Sequence, residues 1–260
     1  MKLSGGRDVE AGGLTGRLYM SVASVGSGAR RTYVLLHGIG VSHRYFSRLH
    51  RELALTADVY TFDLPGFGDA PRPRRKVPVG EYAAFVNTVL ADGGVRSCVV
   101  IGHSMGAQYA VELALQEPGL VAGLVLMGPV VDSSRKSVPR QAMALARDAL
   151  LSESLTSNAV VFRDYLRAGP RWYVRQLPVM MGYPLESRVQ GLSQPVLVMR
   201  GAKDPVARRQ WCQRLAARAS QGSLTEVPGQ GHVVQYTAPG GTAEAIISWV
   251  RATDGFGVTA

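Results

Sequence analysis

The chain has 260 residues, 46% of them apolar, enough to bury one core and, at this length, to form one domain with a small insertion. No run of about 18 or more uncharged apolar residues occurs, which argues against a membrane span. The formal charge is +10, but the excess is nearly all arginine, lysine occurring only at Lys2, Lys76, Lys136 and Lys203. There is no nucleic-acid module signature and no aromatic-interleaved basic run, so no nucleic-acid partner is expected. Met1–Gly13 is polar and Gly-rich and lacks the apolar stretch of a secretory signal, which points to a cytoplasmic location. Cys98 and Cys212, without framework spacing, fit a reduced compartment better than a disulfide scaffold. No metal-ligand cluster stands out in the sequence, and neither metal nor cofactor is expected.

From about residue 30 onward, strand-like and helix-like segments alternate. Thr32–Leu36 is an apolar run ending at His37-Gly38-Ile39-Gly40. Tyr45–Leu55 predicts a helix, with Phe46, Leu49 and Leu53 at helical spacing. Val59–Phe62 predicts a strand that stops at Asp63-Leu64-Pro65-Gly66-Phe67-Gly68. Tyr82–Leu90 reads as a helix, Ser97–Ile101 as a nearly continuous apolar strand, Met105–Gln116 as a helix and Val121–Met127 as a strand. Apolar strands separated by helices are what a parallel sheet covered on both faces requires. Ligands bind such sheets at the carboxyl ends of the strands.

The alternation breaks from Ser133 to Arg188, which holds helical candidates (Gln141–Leu151, Val160–Leu166) but no convincing strand. It resumes with the strand Pro195–Arg200, a helix at Arg208–Ala219, the strand Ser223–Val227 and a helix at Gly241–Arg251. A helical insertion between two strands of one sheet reads as a lid. The organisation is therefore a core over 1–132, a helical cap over 133–188 and the rest of the core over 189–260.

Gly102-His103-Ser104-Met105-Gly106 lies directly after a predicted strand and before a predicted helix. A serine at such a turn sits in strained backbone geometry and needs small neighbours, which Gly102 and Gly106 supply. The turn lifts the hydroxyl clear of the sheet at a helix N-terminus, where amides favour developing negative charge.

With His37-Gly38-Ile39-Gly40, Asp63-Leu64-Pro65-Gly66-Phe67-Gly68, Gly201-Ala202-Lys203-Asp204-Pro205 and Gly231-His232 in the same order, the chain from His37 to Trp249 resembles the α/β-hydrolase family. The resemblance implies an eight-stranded, mostly parallel sheet flanked by helices, with a helical cap after the sixth strand. Ser104 is the expected nucleophile. His232, in the Gly-flanked loop after the last strand, lies where the family places its general base. The acid falls between them in chain order; Asp204 fits best, and Asp132, just after Val121–Met127, is the rival. The resemblance assigns the oxyanion-binding amides to Ile39 and Met105. His37 is expected to buttress its loop, and no role is assigned to His103. A serine at position 104 argues against the dehalogenase and epoxide-hydrolase branches.

Other features read as structural. Asp63 closes a turn, and Arg72-Pro73-Arg74-Arg75-Lys76 forms a solvated loop. Arg163, Arg167, Arg171 and Arg175 are expected to make an exposed basic face that bends at Gly169-Pro170. Trp172, Tyr173, Met180, Met181 and Tyr183 suit either a pocket wall or the cap's own core. The expected activity is acyl transfer from a small-molecule carboxylic ester or thioester to water. A carbon–carbon bond hydrolase, a cofactor-free lyase or cyclase, or a low-turnover binding protein on the same residues remains open.

Overall fold

The computed structural model describes residues 3, 5–23, 31–135 and 163–253. Eight strands form one sheet in the order β1-β2-β4-β3-β5-β6-β7-β8. They are β1 (Arg7–Ala11), β2 (Leu14–Ser21), β3 (Thr32–Leu36), β4 (Asp58–Asp63), β5 (Cys98–His103), β6 (Val121–Met127), β7 (Val196–Gly201) and β8 (Gly222–Val227). β2 runs antiparallel to β1 and β4, while β3 to β8 pair in parallel. The residue pattern begins only near residue 30, so β1 and β2 escape it. β1 is a mostly exposed edge strand without an apolar run.

The central strands are buried throughout because both faces are covered, and their side chains divide by the two-residue period of a strand. Val34, Leu36, Val100, Leu124, Leu126 and Val198 enter one core, with side chains from α2 (Val79–Asp92) and α3 (Gly106–Gln116). Tyr33, Leu35, Ile101, Val125, Met127 and Met199 enter the other, against Tyr45, Phe46, Leu49 and Leu53 of α1 (His43–Ala54). Ser42 caps α1 by accepting from the Arg44 amide at 3.3 Å.

The insertion follows β6, as expected. Its described part holds a 3-10 turn at Ser133–Arg135, a helical stretch at 163–168, then α4 (Pro170–Gly182) and α5 (Leu185–Arg188), and no strand. Gly169, with φ of 77°, separates Arg163 and Arg167 from Arg171 and Arg175, so the arginine series does bend there. The helix expected at Gln141–Leu151 lies outside the described residues, as do residues 160–162 of Val160–Leu166. The core closes with α6 (Arg209–Arg218), α7 (Val234–Thr237) and α8 (Pro239–Thr253). No helix among the described residues is long and apolar enough to cross a membrane.

The parallel register sets the ends of the strands level. Leu36 pairs with Gly102, His103 with Met127, Met127 with Met199 and Gly201 with Val227. The loops that carry His37–Gly40, Ser104, Asp204 and His232 therefore leave the sheet from one edge.

Candidate active site

Ser104 stands at the turn between β5 and α3 with φ of 56°, the one positive-φ residue other than glycine among the described residues. A left-handed serine costs on the order of 1–3 kcal/mol and persists only where its surroundings impose it. Here the chain is pinned on both sides: the Ser104 amide donates to the Met127 carbonyl at 2.9 Å, and the Ser104 carbonyl accepts from Ala107 at 3.1 Å. Space is equally restrictive. A Cβ at Gly102 would overlap the backbone of Gly106, and one at Gly106 would overlap the Leu36 carbonyl. Ser104 itself is only half-buried, while its neighbours on both sides are buried.

Asp204 follows β7 in a short turn closed by its own amide, which donates to the Gly201 carbonyl at 3.0 Å. One carboxylate oxygen accepts from the Val206 and Ala207 amides at 2.7 and 3.0 Å; the other meets His232 Nδ1 at 2.8 Å. Burial alone would raise the Asp204 pKa, but His232 and those two amides outweigh it and hold the carboxyl below its ordinary value. An ionised carboxylate only accepts, so Nδ1 of His232 carries a proton and Nε2 of the neutral ring keeps the lone pair. Asp132, the rival acid, instead accepts from Arg214 at 2.7 Å and from the Ser134 hydroxyl at 2.7 Å.

The serine and the histidine border the same short stretch of sheet edge. A Cβ on Gly38 would lie 3.0 Å from Ser104 Cβ and 3.4 Å from its Oγ, so the loop after β3 passes directly beside the serine. A Cβ on Gly128, next to the residue that holds the Ser104 amide, would lie 2.9 Å from His232 Cε1. His37 has both ring nitrogens engaged, Nδ1 with the Gly38 carbonyl at 2.7 Å and Nε2 accepting from the Leu64 amide at 3.0 Å, in keeping with a buttress.

Several groups here escape sequence reasoning because their partners are distant in the chain. The buried Arg200 of β7 donates to the Ala207 carbonyl at 2.7 Å and the Asp204 carbonyl at 2.9 Å, bracketing the Asp204 turn. His103, given no role by the sequence, bonds through Nδ1 to the Tyr45 hydroxyl and through Nε2 to the His232 carbonyl, each at 2.9 Å. Arg44 ties the insertion after β6 to the rest of the chain, donating to Asp164 at 3.1 Å and to both Asp69 oxygens at 2.7 and 2.8 Å. The insertion also packs closely on two loops at this edge: a Cβ at Gly40 would overlap the Tyr165 ring, and one at Gly66 the Trp172 indole.

His43, Asp63 and Asp69 bring three donor atoms within 4.8 Å of one another, a grouping the sequence did not suggest. Their oxygens are already committed. Asp63 accepts from the His43 amide and Nδ1 and from the Asp69 amide, while Asp69 accepts from Arg44, Arg167 and Tyr19. Two guanidiniums at Asp69 already supply the positive charge a cation would bring. A cleft of about 370 Å³ lies between the end of β6 and residues 183–190, lined by Val131, Ser133, Tyr183, Leu185, Glu186 and Arg218, and includes none of the three groups at the sheet edge.

A parallel sheet with a strained serine after its fifth strand and an Asp–His pair on the loops after its last two defines a class of protein. The profile of the alpha/beta hydrolase family matches residues 33–245, and the chain belongs to that family. Among solved structures, an esterase from Rhodococcus sp. ECU1013 superposes with a TM-score of 0.80 at 21% identity, covering 95% of this chain and 98% of that one. The enol-lactonase from Burkholderia xenovorans LB400 gives 0.81 at 15% identity over 94% and 100%. In sequence, the chain is 24% identical over 251 residues to an sn-1-specific diacylglycerol lipase of Mus musculus, covering 84% of this chain and 80% of that one. It is 28% identical over 154 residues to a 2-hydroxy-6-oxononadienedioate/2-hydroxy-6-oxononatrienedioate hydrolase of Pseudomonas sp, covering 57% and 53%. An uncharacterised protein of Mycobacterium tuberculosis matches at 32% over 101 residues; the chain spans 30% of that relative's length.

The buried histidines give the fold a pH dependence. Burial, and then the neighbouring His232, pushes His103 down to about 3, and burial pushes His50 down to about 4. In the unfolded chain both titrate near about 6.5. Between about pH 6.5 and 4 the unfolded chain binds protons that the folded chain does not, so stability falls as the pH falls through that window. The depressed carboxyl of Asp204 adds its loss only below its unfolded pKa of about 3.9. Unfolding free energies from urea titrations between pH 7 and 4.5 are expected to decline, by up to about 1.4 kcal/mol per pH unit for each histidine. His50→Gln should make the decline shallower; an unchanged slope would remove His50 as a source.

Proposed function

We propose that the protein is a serine hydrolase that cleaves a small-molecule carboxylic ester or thioester through an acyl-enzyme. The observation that carries this reading is the 2.8 Å bond from His232 Nδ1 to the buried Asp204 carboxylate, on the same sheet edge as the one strained serine. Ser104 Oγ attacks the carbonyl carbon as His232 Nε2 takes its proton. Asp204 holds the imidazole tautomer and faces the imidazolium that forms. The Ile39 and Met105 amides receive the oxyanion, both on tight turns beside Ser104. The leaving group departs with the proton from His232, and water, activated by the same base, then releases the acid and restores Ser104. A carbon–carbon hydrolysis on the same groups is the second reading, supported by the likeness to the Pseudomonas hydrolase.

Residues 133–188 act, in this reading, as a cap that shapes the acyl pocket. Its described part rests on the core through Arg44–Asp164, through Arg167–Asp69 and through Gln108, which donates to the Met180 carbonyl at 3.0 Å. Trp172 Nε1 and Gln108 Oε1 are buried and have no hydrogen-bond partner among the described residues.

Two sets of variants test this. Against a panel of p-nitrophenyl esters, acyl thioesters and diketones, Ser104→Ala should abolish turnover while stability changes by less than about 1 kcal/mol. Asp204→Asn should lose on the order of 10⁴-fold in kcat, with Asp132→Asn far less affected; the reverse ranking would move the acid to Asp132. Trp172→Ala should change relative rates across the panel by about tenfold or more, equivalent to a lost pocket contact. A uniform change across all substrates would remove the cap from substrate choice.

A further inference from the structure

Three buried bonds run through the floor of the site and join two loops that the sheet itself keeps apart. The Gly38 amide donates to the Tyr45 hydroxyl oxygen at 2.8 Å, the Tyr45 hydroxyl meets His103 Nδ1 at 2.9 Å, and His103 Nε2 meets the His232 carbonyl at 2.9 Å. Gly38 leaves β3, and His232 follows β8; β5, β6 and β7 lie between those strands. Among the described residues, β3 and β8 share no strand pairing.

Proton bookkeeping fixes the direction of the chain. An amide only donates and a carbonyl only accepts, so the Tyr45 oxygen accepts from Gly38 and the His232 oxygen accepts from His103. The one hydroxyl proton of Tyr45 is then directed at His103 Nδ1, and Nε2 bears the ring proton. The opposite tautomer would set a bare Nε2 against a carbonyl oxygen, lone pair to lone pair. A doubly protonated ring is disfavoured by its complete burial and by the His232 ring, whose centroid is 4.6 Å away. The only arrangement that satisfies every member is the neutral ring with its proton on Nε2.

We propose that Tyr45 and His103 are positioning residues, forming a strut that holds the Gly38–Ile39 loop and the His232 loop at fixed separation across the Ser104 turn. The proposal rests on the hydrolase reading, in which Ile39 supplies an oxyanion amide and His232 is the base. It follows that the two sides of the machinery are set by one hydrogen-bonded unit and not by each loop alone. Displacing either loop by about 1 Å would cost on the order of 10²-fold in rate. His103 also presents a neutral ring to His232, so that the imidazolium formed during attack meets no second cation. The lateral packing of the strut is aromatic: Tyr45 lies against Phe46 with ring centroids 4.7 Å apart, and His103 against Tyr45 at 5.2 Å.

The test compares Tyr45→Phe, His103→Leu and His103→Gln with the parent chain, using kcat and KM on a p-nitrophenyl ester and the rate of fluorophosphonate modification of Ser104. Phe and Leu should lower kcat and the modification rate on the order of 10²-fold, with KM within a few-fold. Gln can accept from Tyr45 through its carbonyl and donate to His232 through its amide, so it should recover most of the loss. In the parent chain, ¹⁵N-resolved NMR of the histidines should give His103 as the Nε2–H tautomer. Unchanged kcat and modification rates in folded Tyr45→Phe and His103→Leu would overturn the strut, and so would an Nδ1–H ring on His103. If His103→Leu fails to fold, Tyr45→Phe, which removes a single oxygen, decides the kinetic arm. A parent chain that takes up no fluorophosphonate strikes the hydrolase reading instead, and the His103 tautomer then decides the strut by itself.

Discussion

The backbone of Ser104 is the constraint on which the rest depends. A serine at φ of 56° is unfavourable by itself, and three features around it make that conformation the one the chain can adopt. β5 and β6 are buried in register, which delivers the Met127 carbonyl to the Ser104 amide. α3 starts so close behind that a Cβ at 102 would overlap the Gly106 backbone, and it lies so close to the end of β3 that a Cβ at 106 would overlap the Leu36 carbonyl. The residues behind the turn are packed on both faces, so it cannot relax by rotating into the core. The result is a hydroxyl raised at a sheet edge, where loops from other strands can reach it.

Electrostatics then makes that edge chemically asymmetric. Asp204 is fully buried yet ionised, because two amides and His232 surround its carboxylate. Arg200 adds a second layer by fixing the carbonyls on either side of the turn. On the other flank, His103 and His37 are buried rings held neutral, each with both nitrogens engaged. The charge that catalysis would generate thus falls on His232 alone, opposite the one carboxylate oriented to receive it. A hydrogen bond between ionised groups in such surroundings is shorter and stronger than one between neutral partners.

Much of this was legible in the chain. The strands from β3 to β7 announce themselves as apolar runs because both faces are buried, and the Gly-flanked serine between a strand and a helix marks the turn. The strands β1 and β2 did not register. β1 is exposed, and β2 alternates buried with half-buried residues, so neither shows a continuous apolar signal. Chain order and strand-end position favoured Asp204 but left Asp132 as a rival, since both follow strands that end at the same edge; the partner on each carboxylate, His232 for Asp204 and Arg214 for Asp132, sets them apart. Tyr45, His103 and Arg44 were illegible for the same reason. Their partners lie 58, 129 and 120 residues away, and nothing local in the sequence distinguishes a polar residue that braces a site from one that faces water.

The most direct measurement of the central claim is mass spectrometry of the purified chain after brief exposure to a fluorophosphonate. The account predicts one adduct per chain, mapping to the peptide that contains Ser104, with a rate that falls on the order of 10³-fold or more in His232→Ala and in Asp204→Ala. An adduct on another residue, or a Ser104 adduct that forms as fast without His232, would contradict it.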